Sequence, residues 1–262
     1  MISEIITIGD ELLIGQVINT NQAFISDKLN SVGIFTEQML TVGDVEPEIL
    51  RAFESAWKQY DVVAVTGGLG PTHDDITRAS ICKFFKTDLI VDEWSLKNVR
   101  EIFSRRGVQV TKINEEQALV PRGCTVMHNR LGTAPGYFFE RDGKFFIVMP
   151  GVPYEMKGMI ESFVLPYFEQ RAADLVIRHR TLKTTGIPES FLAERIGDVE
   201  DLFPLNTGTT LAYLPSSAGV RMRITVRSDS IADAEKRLND VESKIRTKVE
   251  KYIYATDDVE LE

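Results

Sequence analysis

The 262-residue chain has 43% hydrophobic and 26% charged residues, a globular balance that excludes disordered, collagen-like and disulfide-framework proteins. At ~150 residues per domain the length points to roughly two domains. A formal net charge of −9 disfavours nonspecific nucleic-acid or acidic-membrane binding, so any phosphate must be met locally by backbone N–H groups, a few Arg/Lys or a metal ion.

Met1–Gly9 carries Glu4 inside an apolar stretch and has no basic region, so it reads as a first strand, not a signal peptide. Ile5–Ile8 is that strand's apolar run, and Asn19–Leu29 is helix-like. Thr36–Val42 reads as a second strand. Pro47–Trp57 follows as a helix, with Ile49, Leu50, Phe53 and Trp57 at helical spacing. Asp61–Thr66 is a buried third strand by its β-branched content. Helices are expected from about Asp75 to Phe85 and from Trp94 to Arg106. Arg141-Asp-Gly143 between Ala134–Glu140 and Lys144–Met149 signals a hairpin. A helix over Pro153 to about Gln170 starts with proline, where the missing N–H costs little. Alternating strands and helices over the first ~165 residues mark an α/β domain with a largely parallel sheet.

The remainder reads differently. Leu182–Thr185 is a strand, Pro188–Ile196 a helix, and Thr209–Leu214 with Gly219–Val226 a strand pair. Ser230–Tyr252 is a long amphipathic helix with Ser230 as N-cap and an apolar stripe of Ile231, Ala234, Leu238, Val241, Ile245 and Val249. Arg171–Asp174 is the expected boundary. It divides a catalytic α/β domain (1–171) from an α+β domain (172–256), with a tail over 257–262. The longest strongly apolar runs, such as Phe145–Met149, fall far short of the ~20 residues of a membrane span.

The strongest chemical signal is Thr66-Gly-Gly-Leu-Gly-Pro-Thr-His-Asp-Asp-Ile-Thr77. A glycine-rich loop leaves a buried strand for a helix, which brings backbone N–H groups and the helix N-terminus toward an anion. It sits at the C-terminal end of a strand, where open α/β sheets place ligands. It is neither a Walker A loop nor a dinucleotide fingerprint, since no Gly-Lys-Ser/Thr follows and His73 stands where a third glycine belongs. Gly67, Gly68, Gly70 and Thr72 are the phosphate candidates. A simple helix cap explains the same residues, because Thr72-x-x-Asp75 matches a capping box. Asp74 and Asp75 beside a phosphate call for a bridging divalent cation, or else they only complement the helix dipole.

Asp10-Glu11 and Asp44 follow the first two strands. In a parallel sheet their ends converge with the glycine loop, where carboxylates could bind metal or activate water. Gly151 and Glu155 in Met149-Pro-Gly-Val-Pro-Tyr-Glu-Met156 begin another strand-to-helix turn. Arg130 in Asn129–Gly136 is a candidate phosphate clamp against a plain surface arginine. His73, His128 and His179 lack zinc spacing. Cys82 and Cys124 lack any CxxC or nucleophile signature and read as buried thiols of a reducing, cytoplasmic compartment.

Together these segments resemble the CinA family (competence/damage-inducible protein A). The resemblance rests on Ile8-Gly-Asp-Glu-Leu-Leu-Ile-Gly15, Asn19-Thr-Asn21, the glycine loop through Thr77, Asn129–Gly136 and Met149–Met156. It implies a three-layer α/β fold of the molybdopterin-binding (MogA/MoaB) type with a mostly parallel sheet, followed by a small KH-type α+β domain. The implied activity is hydrolysis of ADP-ribose to AMP and ribose 5-phosphate. It would use a divalent ion (Mg²⁺, Mn²⁺ or Co²⁺) and a monovalent cation such as K⁺. Asp75 matches a functional acid of the molybdopterin-binding relatives, and Asp44 falls where they carry their other acid.

In this reading Asp10, Asp44 and Asp75 place metal and water, while the glycine loop, Asn21, Arg130, Gly151 and Glu155 hold ligand. The expected partners are a small nucleotide and a second copy in a homodimer, with no membrane and with nucleic acid disfavoured. The Ser-Cys-Thr-Gly-Gly stretch of the family's deamidase domain is missing, so that activity is not expected of this chain. The KH-type portion also lacks a Gly-x-x-Gly loop, which counts against RNA. The rival readings are molybdopterin binding or adenylylation, and a non-catalytic nucleotide-binding or oligomerisation module.

Overall fold

The computed structural model describes residues 1–72, 75–171, 176–205, 207–216 and 218–256. His73, Asp74, the proposed boundary at 172–174 and the tail at 257–262 lie outside the described residues. Two compact units are present, one built from Met1–Asn30 with Ile34–Arg171, the other described from Val176 to Thr256.

The first unit runs β1 (Ile2–Ile8), α1 (Asp10–Leu13), α2 (Thr20–Ser31), β2 (Phe35–Val42), α3 (Glu46–Gln59), β3 (Val62–Thr66), α4 (Thr77–Phe85), β4 (Leu89–Val91) and α5 (Glu93–Arg105). It continues through α6 (Lys112–Glu115), β5 (Leu119–Pro121), β6 (Thr125–Met127), β7 (Gly136–Arg141), β8 (Lys144–Met149), α7 (Pro153–Met159) and α8 (Leu165–Glu169). The main sheet has the order β2-β1-β3-β8-β7-β6. Strands β2, β1, β3 and β8 are mutually parallel, and β7 returns antiparallel. The return is the Asp142-Gly143 turn, with φ of 52° and 74° at its two central residues. Positive φ at both is the type I′ geometry that matches strand twist.

Period-two alternation supplies a core on each face of the sheet. Phe139 and Phe146 face one side, in an aromatic cluster with Phe53 and Trp57 of α3 and Phe84 and Phe85 of α4. Their neighbours Phe138 and Phe145 face the other side, against Phe163, Tyr167 and Phe168. The helix expected over Pro153–Gln170 is one run with a π-helical turn at Ile160–Val164 between α7 and α8. Pro166 has no N–H for the Ser162 carbonyl, so the ladder there widens instead of breaking.

Several elements differ from expectation. Helix α4 starts at Thr77, not Asp75, because Asp75 spends its carboxylate on the preceding loop. The two-stranded sheet β4–β5 and the short β6 carry too few alternating residues to signal themselves.

The second unit runs β9 (Val176–Thr184), α9 (Glu189–Ile196), β10 (Thr209–Ser216), β11 (Gly219–Ser228), α10 (Ile231–Val249) and β12 (Ile253–Thr256). Its antiparallel sheet has the order β10-β11-β9-β12, and α9 and α10 share its core. Strand β9 begins six residues before the expected Leu182, since Arg178, His179 and Arg180 hide the strand pattern. Arg180 reaches α10, with Nη2 2.9 Å from Glu235 and Nη1 2.8 Å from Glu242. Burial pushes Glu242 up, but hydrogen bonds from Arg180 and Arg246 overcome it and hold the carboxyl below its usual range. No described helix is long and apolar enough to cross a membrane.

Ser230 caps α10, its Oγ accepting from the Asp233 N–H at 3.2 Å. The stripe from Ala234 to Val249 is buried, but Ile231 is 56% exposed. Ser230→Ala should therefore lower stability by about 1 kcal/mol, and Ile231→Ala by no more than about 0.5 kcal/mol. Leu238→Ala should cost about 2–5 kcal/mol. Urea unfolding followed by circular dichroism checks the ranking.

Candidate functional site

The parallel register lines up four strand ends. Ile8 pairs with Val42, Thr7 with Thr66, and Thr66 with Met149. The loops that follow enclose a cleft of about 430 Å³. Gly67, Gly68, Gly70, Asn21, Asp44, Asp75, Gly151 and Glu155 all line it.

The floor is backbone. Gly67 has φ of 111°, and a Cβ there would collide with the carbonyl oxygen of Ile8. A Cβ on Gly151 would lie 3.3 Å from the Gly67 Cα. Three strand-end loops thus meet main chain to main chain, which glycine alone permits. The Thr66 hydroxyl donates to the Pro150 carbonyl at 2.7 Å, and Asn21 Nδ2 donates to the Gly151 carbonyl at 2.8 Å. Asn21 Oδ1 and Thr77 Oγ1 are buried and have no partner in the structure.

The acids do different work. Asp75 Oδ1 accepts from the Gly70 N–H at 2.8 Å, and Oδ2 accepts from the Thr72 N–H at 2.9 Å and from the Thr72 hydroxyl. Asp75 therefore shapes the glycine loop. Thr72 is engaged with Asp75 and does not line the cleft. Asp10 and Asp44 are joined reciprocally. The Asp10 N–H donates to Asp44 Oδ2 at 3.1 Å, and the Asp44 N–H donates to Asp10 Oδ1 at 3.2 Å. Asp44 lines the cleft, and Asp10 stands outside its lining. Among the described residues no three His, Cys, Asp or Glu side chains gather to hold a metal ion, so Asp10, Asp44 and Asp75 are not a ready-made cage.

Arg130 does not reach the cleft; it lines a separate hollow of about 560 Å³ with Met127, Leu131 and Phe163. The inward residue of that loop is its neighbour, Asn129. Asn129 Nδ2 donates to Glu155 Oε2 at 2.6 Å, and its Oδ1 accepts from the Leu131 and Gly132 N–H groups. Asn98 of α5 secures the loop through the Asn129 and Gly132 carbonyls. Burial pushes the Glu155 carboxyl above the usual glutamate range, against the lowering effect of hydrogen bonds from Asn129 and Tyr154.

Further lining residues include Glu11, Asn19, Gln117 and Thr133. Glu11 and Asn19 stand in the motifs quoted above. Gln117 lies in a stretch whose elements have no clear period. Among the described lining residues there are four carboxylates, Glu11, Asp44, Asp75 and Glu155, and no Lys, Arg or His.

The family model described as a probable molybdopterin binding domain matches residues 4–170, which sets the class of the first unit. A second model, the damage-inducible protein CinA KH domain, matches residues 179–255. The chain belongs to the CinA family. It is 42% identical over 266 aligned residues to a CinA-like protein of Chloroherpeton thalassium, covering all of this chain and 63% of that protein. It is 39% identical over 262 residues to a putative competence-damage inducible protein of Clostridium beijerinckii, again at 63% of that protein's length. The chain thus spans less than two thirds of these relatives. The crystal structure of CinA from Thermoplasma acidophilum, described as of unknown function, superposes with a TM-score of 0.57 at 35% identity. That match covers 62% of this chain and 95% of the other.

The raised Glu155 carboxyl has a signed consequence. Between the unfolded value near 4.5 and the higher folded one, the native state binds more protons than the unfolded state. Stability then falls as pH rises through that window. Glu155→Gln removes the ionisation. Its melting temperature relative to wild type should therefore rise as the pH climbs from the unfolded value near 4.5 through the higher folded one, as thermal scans at successive pH values would show.

Proposed function

We infer that the cleft hydrolyses the diphosphate of ADP-ribose to AMP and ribose 5-phosphate. The observation that carries this reading is a backbone-floored glycine loop at parallel strand ends, faced by carboxylates and by no described cationic side chain. A diphosphate there needs a cation that it does not find in the lining, and the acids can supply one indirectly. Mg²⁺-like ions are held by one or two carboxylates with substrate phosphates and water completing the shell. Asp44, paired with Asp10, fits that two-acid role; Asp75 does not, because both its oxygens already hold the glycine loop.

When bound, a divalent ion would lower the pKa of an attacking water and offset charge on the leaving phosphate. The chain's own residues do the rest. The Gly67 and Gly70 N–H groups are taken by the Met149 carbonyl and by Asp75, so Gly68 and Leu69 present theirs to the phosphates in the conformation that Asp75 fixes. Asn21 ties that floor to Gly151. Glu155, shifted toward its neutral form by burial, repels a phosphate less than an ordinary glutamate would. Water oxygen bonds to one phosphorus as the bridging P–O bond breaks, giving the two monophosphates. A nucleotide substrate, a second copy of the chain and a K⁺ requirement belong to the same proposal.

A second reading has its own support, since the matched family model is described as a probable molybdopterin binding domain. In that case the same loop holds the pterin's phosphate.

The purified chain should release AMP from ADP-ribose with Mg²⁺, Mn²⁺ or Co²⁺, and chelation should abolish the release. Asp44→Asn should lower kcat by about a hundredfold or more with little change in melting temperature. No AMP with any of these ions, in the presence or absence of K⁺, rejects the hydrolase reading. Thermal protection by molybdopterin but not by ADP-ribose selects the alternative.

A further inference from the structure

The floor of the cleft is polar, but one rim is not. Between α1 and α2 the chain exposes Leu13, Ile14, Val17 and Ile18, with Val17 51% and Ile18 84% exposed. Large apolar side chains grouped on a surface in this way mark binding sites. Val17 and Ile18 line the cleft, as does the exposed Val152 of the β8–α7 loop; Leu13 and Ile14 do not. The two loops are tied together, because Asn21, three residues beyond Ile18, donates to the carbonyl of Gly151, next to Val152.

The rim is also anchored. The Gln16 and Val17 N–H groups donate to the Glu11 carbonyl at 2.9 and 3.2 Å, and the Thr20 N–H donates to the Ile18 carbonyl at 2.8 Å. Val17 and Ile18, β-branched with few rotamers, thus stand on a hydrogen-bonded loop, and Val152, also β-branched, faces the cleft from the loop that Asn21 ties to it.

We propose that Val17, Ile18 and Val152 form an apolar ledge for the planar heteroaromatic ring of the ligand whose phosphates lie on the glycine loop. The proposal rests on the reading that the cleft takes a phosphate-bearing ligand. A nucleotide or a pterin phosphate has one highly charged end and one flat, weakly hydrated end, and the cleft has a matching surface for each. The flat end can cover side chains that otherwise face water, without hydrogen-bond partners on the ledge. Adenine and pterin are both planar bicyclic rings, so the ledge fits the chemistry they share.

The test titrates wild type, Ile18→Ser, Val17→Ser and Leu13→Ser with four probes by calorimetry in the presence of Mg²⁺. AMP and neopterin monophosphate carry a ring beside their phosphate; ribose 5-phosphate and inorganic pyrophosphate do not. ADP-ribose hydrolysis is assayed alongside. Ile18→Ser and Val17→Ser should weaken the ring-bearing ligand that wild type prefers by about tenfold, leave the ring-free probes unchanged, and differ from Leu13→Ser, which should bind like wild type. Preference for AMP or neopterin monophosphate tells the two ring sources apart.

Four outcomes overturn the ledge: no ring-bearing probe binds wild type, ring-bearing probes bind the variants equally well, ring-free probes lose the same factor, or Ile18→Ser changes only the sedimentation of the chain. Ring-dependent binding without hydrolysis sinks the hydrolase reading and keeps the ledge. Hydrolysis with an unchanged KM in Ile18→Ser does the reverse.

Discussion

The site depends on one steric fact, the main-chain contact among the loops that follow β1, β3 and β8. Gly67 lies against the carbonyl of Ile8, and Gly151 lies against Gly67. A methyl group on Gly67 would force the ends of β1 and β3 apart, although these strands are held in register from Ser3 to Thr7. Side chains are thereby excluded from the floor of the cleft and confined to its walls. What remains on the floor is peptide, which offers fixed dipoles in place of mobile side-chain charge. The fold thus chooses the kind of recognition before any particular acid or base is considered.

Electrostatics then follow from that floor. A cleft walled by carboxylates and floored by peptide is a poor host for a bare phosphate and a better one for a phosphate with its counterion. The carboxylates avoid mutual repulsion by different means. Asp75 turns both oxygens to N–H and hydroxyl donors, Asp10 and Asp44 share reciprocal backbone bonds, and Glu155 is pushed toward its neutral form by burial. Grouping these acids by residue type alone would miss this. Asp75 braces the loop, Asp44 is bonded to Asp10 behind the lining, Glu155 is buried, and Glu11 completes the acidic wall.

Much of this was legible in the sequence, for identifiable reasons. The β-branched run before Gly67 and the Asp142-Gly143 turn are local signals, and each places a strand without outside help. Convergence of Asp44 and the glycine loop required that the first strands be parallel, which their helical connections imply, and that β1 lie between β2 and β3, which they do not. Other features were out of reach because they are long-range. The early residues of β9 look like a charged loop until Arg180 meets Glu235 and Glu242 of α10, about sixty residues away. Ile231 sits on the apolar stripe by periodicity, yet it is the first residue of its helix, where the stripe has already run past the sheet. Arg130 drew attention by its charge, but a loop with one buried amide must turn the next side chain outward.

The polar loop Asn129–Gly136 suggests a phosphate clamp because arginine is its most reactive-looking residue. Its structural work is done by Asn129, which uses both ends of its amide, accepting from Leu131 and Gly132 and donating to Ala134 and Glu155. Asn98 closes the arrangement from α5. An aspartate at 129 could not donate to Glu155 and would bring a second negative charge to a buried carboxyl. A leucine would strand two N–H groups as well. The amide is therefore fixed by the acid it holds, and Glu155 reaches the wall of the cleft because a neutral donor, not a cation, stands behind it. A cation there would favour the ionised form of Glu155 far more than an amide does, so with the amide in place burial still wins and the carboxyl stays shifted toward its neutral form.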